Sequence, residues 1–87
     1  MSITVKVTWR DIQRANDLRR IEDIAWVCPI SQAVRRTIGQ DDEVQTTDDV
    51  VIAGSREYRL PDAAQQFIQR YDEYFHPGPI TFVMEEA

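Results

Sequence analysis

The chain has 87 residues, 43% hydrophobic and 29% charged, the balance of one soluble globular domain over residues 1–87 and not of a disordered tail or a fibre. Its longest apolar stretch, Ile24 to Ile30 with Pro29 inside, falls far short of the roughly 20 residues that cross a bilayer, and its start lacks the basic-then-apolar order of a secretory signal. The net charge of −5 divides into +3 over residues 1–40 (seven Lys/Arg against four Asp/Glu) and −8 over residues 41–87 (three against eleven), a poor basis for general binding to a phosphate backbone.

Ile3, Val5, Val7 and Trp9 alternate with Thr4, Lys6 and Thr8, the period of a strand with one buried face. From Arg10 to Trp26 the apolar spacing turns helical at Ile12, Ala15 and Leu18, but charge and Asn16-Asp17 interrupt it, so one short helical turn and a loose connection are expected. Val27 to Gly39 reads as a helix. Pro29 suits its first position, Ile30, Ala33, Val34 and Ile38 make a stripe, Arg35 and Arg36 meet the negative end of the helix dipole, and Gly39 is the stop.

Beyond the acidic stretch, Val50 to Gly54 and Glu57 to Leu60 form a hairpin about Gly54-Ser55, with Val44 to Thr46 as a further short strand before Asp48-Asp49 turns the chain. Leu60 to Phe75 is the second helix, placing Ala64, Phe67, Ile68, Tyr71 and Phe75 on the core, and His76-Pro77-Gly78-Pro79 ends it. Ile80, Phe82 and Met84 then face one way in a last strand. The expected fold is α+β: a small, mostly antiparallel sheet with two helices on one face, in the order β-α-β-β-α-β.

Few residues offer covalent chemistry. Cys28 at a helix start has the setting that lowers a thiol pKa, but no second thiol exists, the one histidine is His76, and a packed side chain is the simpler reading. One cysteine forms no internal disulfide, in keeping with a reducing, cytoplasmic setting. Asp41, Asp42, Glu43, Asp48 and Asp49 do not follow the spacing of a calcium loop, and one His and one Cys do not make a zinc site. No metal or cofactor is therefore expected. The sharper reading of these acids is a surface for a partner protein with a basic face, against the plainer one of a solvated edge that discourages strand pairing. Arg19-Arg20 and Arg35-Arg36 read as partners of acids such as Glu22 and Asp23, or as cover for apolar surface. Trp26 in the connector is a natural interface anchor.

The Cys-Pro-Ile of 28–30, Tyr-Arg-Leu-Pro of 58–61, Phe-Ile-Gln-Arg-Tyr-Asp of 67–72 and Pro-Ile-Thr-Phe of 79–82 resemble the pattern of a group of small proteins encoded by phages and prophages of actinobacteria. The resemblance runs from about Ile3 to Met84, although Glu73-Tyr74-Phe75 stands where those proteins often have a glycine after the aspartate. It implies a bacterial cytoplasm and action by binding a host or phage macromolecule; it implies no catalytic residue. The function expected is a non-enzymatic binding protein, such as a modulator of a host defence process, acting through Asp41, Asp42, Glu43, Asp48, Asp49 and Trp26. A homodimeric assembly protein using an exposed sheet edge or Trp26 is the alternative, and a thiol enzyme on Cys28 a third.

Overall fold

The computed structural model describes residues 2–18, 28–39, 44–74 and 77–87. They form an α+β fold with three helices and a five-stranded, wholly antiparallel sheet. The elements are β1 (Ser2–Val7), α1 (Trp9–Leu18), α2 (Pro29–Ile38), β2 (Val44–Thr46), β3 (Val50–Ala53), β4 (Arg56–Arg59), α3 (Asp62–Tyr74) and β5 (Ile80–Glu86). The order β-α-α-β-β-β-α-β replaces the expected two-helix series. Two differences account for it: the ten residues of α1 are a complete helix, and β2 joins the β3–β4 hairpin as a third strand.

The completeness of α1 has a local cause. The Thr8 backbone N–H and hydroxyl donate to Asp11 Oδ2 at 2.9 and 3.1 Å, while the Asp11 backbone N–H donates to Thr8 Oγ1 at 3.3 Å. This reciprocal cap satisfies groups that a helix start otherwise leaves unpaired. It also stops β1 at Val7. Trp9 therefore does not continue the buried face of the strand, as alternation predicts, but opens α1 and is 64% exposed.

Sheet order is β1-β5-β4-β3-β2. Val5 pairs with Phe82, Ile3 with Met84, Val51 with Tyr58 and Val44 with Ala53, so the apolar positions of neighbouring strands fall on one face. The other face carries Thr4, Lys6, Glu57, Arg59, Thr81 and Glu85, all exposed. The turns follow the sequence: Gly54, at φ +62°, supplies the left-handed residue of the β3–β4 loop, and Thr47 N–H donates to the Val50 carbonyl at 2.9 Å across Asp48-Asp49.

The helix α2 packs against β1 and β2, the two edge strands, and also against α1. One helix reaches both edges only if the sheet curls toward it. Adjacent arginines complete the contact: Arg35 Nη2 donates to the Val44 carbonyl of β2 at 3.2 Å, and Arg36 Nη2 to the Lys6 carbonyl of β1 at 2.8 Å. Buried Ser31 and Thr46 add a hydroxyl–hydroxyl bond of 2.7 Å between α2 and β2. Edge strands invite pairing by other chains, and covering them is a recurrent defence. The ends of α2 are as the sequence predicts, with Pro29 in the first turn and Gly39 left-handed at φ 72°, its N–H donating to the Arg35 carbonyl at 2.9 Å.

Candidate functional site

The residues singled out from sequence divide. Trp26, Asp41, Asp42 and Glu43 lie outside the described residues, as do His76, Arg19 and Arg20, and the acids Glu22 and Asp23. Asp48 and Asp49 are exposed in the β2–β3 turn. The Asp49 carbonyl accepts from Leu60 N–H at 2.9 Å, a bond that brings the end of β4, and hence the start of α3, beside the turn.

That connection builds a groove. Asp48 lines it together with Asp62, Gln65, Gln66, Ile68, Gln69, Asp72 and Glu73 of α3, around a volume of about 550 Å³. On α3 the polar members follow one another at intervals of three, one, three, three and one residues, which places them along a single helical flank. The core stripe Ala64, Phe67, Ile68 and Tyr71 is buried on the other side of the helix, as the sequence predicts, with Ile68 at its border with the groove; Phe75, expected in the same stripe, lies outside the described residues. Four carboxylates and three primary amides therefore face one concavity, and among the described residues its lining holds no Lys or Arg. Gln65 is held in place by its Nε2, which donates to the Leu60 carbonyl at 3.0 Å.

The electrostatics at the two ends of α3 differ. Asp62 occupies the first turn, where a carboxylate is favoured by the dipole; Asp72 and Glu73 occupy the last, which contains no basic residue and where negative charge opposes the dipole. The placement works against the helix. It suits a surface that attracts cations, whether guanidinium or ammonium groups.

Elsewhere the candidate chemistry resolves into structure. Cys28 is 4% exposed within the hydrophobic core, precedes Pro29, and makes no side-chain cap to α2; its carbonyl accepts from Gln32 N–H at 3.1 Å. Arg36 pairs with Asp11 at 2.7 Å. Asp11, buried at the start of α1, thus receives the helix cap and the α2 arginine on one oxygen, Oδ2. Sequence reading missed Asp11 as well as Asp62, Asp72 and Glu73. The visible signals were Thr8-x-x-Asp11, a capping pattern, and the helical spacing of Asp and Gln on the polar side of α3.

Among the described residues no three His, Cys, Asp or Glu side chains gather in a geometry for a metal ion, and no helix is long and apolar enough to cross a membrane. No family model, curated protein or solved structure matches the chain.

Proposed function

We propose that this is a non-enzymatic binding protein, of the phage-encoded modulator type, whose acidic groove receives a basic surface of a host or phage protein. The observation that carries the reading is the groove along α3, where Asp48, Asp62, Asp72 and Glu73 converge and none of the described lining residues is Lys or Arg. Three glutamine amides between the carboxylates add donors and acceptors that fix the register of an arginine-rich or lysine-rich partner. Complementary charge of this kind raises association rates and selects partners more than it adds affinity. Asp41, Asp42 and Glu43 extend the same acidic half of the sequence.

The homodimer reading draws less support at the sheet edges, because Arg35 and Arg36 of α2 each take a carbonyl of an edge strand; Trp26, its other route, lies outside the described residues. The thiol-enzyme reading draws less still, since a core-buried thiol is poorly placed to attack a substrate.

Affinity capture from nuclease-treated bacterial lysate tests the proposal, comparing the native chain with Asp48→Asn/Asp62→Asn/Asp72→Asn/Glu73→Gln. The expected result is one protein retained by the native chain alone, released as salt rises beyond about 0.1 M, where the screening length is about 10 Å. Equal retention by both chains would refute the groove as the contact.

A further inference from the structure

A second concavity has the opposite character. Trp9 walls a cleft of about 360 Å³ with Lys6, Val7, Thr8, Pro79, Ile80 and Thr81, lined mainly by apolar atoms. Trp9 and Val83 are the large apolar side chains exposed among the described residues, at 64% and 49%. An exposed tryptophan at the rim of an apolar cleft marks a contact surface better than scattered apolar residues do.

Among the described residues the charge in the lining is positive. Lys6 lines the cleft itself, Arg10 follows Trp9, and Arg14 stands one helical turn beyond Arg10; all three are exposed. The nearest acid in sequence, Asp11, is buried and paired with Arg36. Glu85 pairs with Ser2 at the far end of β1, four residues from Lys6 and so about 13 Å away along the strand. Asp17 lies three residues past Arg14 on α1 and neighbours it on the helix surface, so the cations left to a ligand of the cleft are Lys6, in its lining, and Arg10 beside Trp9.

We infer that the Trp9 cleft binds an acidic peptide segment carrying one large apolar side chain, the side chain filling the cleft and its acidic neighbours meeting Lys6 and Arg10. The cleft has the volume of a side chain or two. A single-stranded nucleic acid fits less well: binding of that kind uses several aromatics as an open stacking platform within a basic groove, whereas here one tryptophan borders a concave pocket on a chain of net charge −5.

Selection of random displayed peptides against the native chain tests this, with two variants in parallel, Trp9→Ser and Lys6→Glu/Arg10→Glu. The altered side chains are exposed, and each variant's fold is checked by circular dichroism. Enriched peptides are expected to carry an aromatic or large aliphatic residue flanked by Asp or Glu, with binding weakened about tenfold or more by either variant, as loss of a central anchor or of charge complementarity predicts. The acidic-groove variant should bind the same peptides normally, which separates this surface from the groove. Peptides without acidic bias, or acidic peptides held equally by the Trp9→Ser chain, would overturn the inference. So would Trp9-dependent binding of an oligothymidine probe in place of peptides.

Discussion

The helices α2 and α3 bury apolar stripes of the same kind but put their polar residues to opposite uses. In α2 the last turn carries Arg35 and Arg36, which favour the dipole, and the two side chains reach carbonyls on the two edges of the sheet. In α3 the last turn carries Asp72 and Glu73, which oppose the dipole and line an open groove. Polar groups that serve the fold satisfy the protein's own donors and acceptors. Glu73, exposed in the last turn of α3 where negative charge opposes the dipole, is placed at the fold's expense and points to something outside it.

Substitutions on the α2 side should therefore cost stability, and those on the α3 groove should not. Ile30, fully buried on α2, gives the largest effect: Ile30→Ala is expected to lower the unfolding free energy by about 2–5 kcal/mol, measured by urea titration. Next comes Asp11→Ala, which removes the α1 cap and the Arg36 partner together and should cost about 1–3 kcal/mol. If that change proved neutral, the join between α1, β1 and α2 would have no energetic weight. Cys28→Ser puts a hydroxyl where a buried thiol packs and should cost about 1–3 kcal/mol; a neutral result would mean that the position is more open than its 4% exposure implies. The smallest effect has the opposite sign. Glu73→Gln should raise stability by about 0.3 kcal/mol, by removing negative charge from the end of α3, and a clear loss would place Glu73 among the structural groups.

Much of the architecture was legible from short-range pattern. Alternation gave β1 and β5, Gly54-Ser55 the hairpin, Pro29 and Gly39 the ends of α2, and helical spacing the buried side of α3. The failure at α1 was a matter of precedence: Thr8 and Trp9 satisfied the two-residue period of β1, and that period concealed the capping pattern from Thr8 to Asp11. The groove was legible only in part. Asp48 and Asp49 stood out as a pair, but the bond from Leu60 N–H to the Asp49 carbonyl, formed just before β3 and just after β4 by residues eleven apart in the chain, brings α3 alongside them. The spacing of Asp62, Gln65, Gln66, Gln69, Asp72 and Glu73 was there to be read. An apolar stripe draws attention first because burial dominates folding, while a polar stripe on the opposite flank resembles ordinary solvated surface.

The central claim is that α3 is the binding helix and α2 the holding one. Hydrogen exchange on the native chain, alone and with its captured partner, tests it most directly. The account predicts added protection over 62–73 and the turn at Asp48-Asp49, with α2 and the β1 edge unchanged. Protection confined to α2 or to the β1 and β2 edges would contradict it.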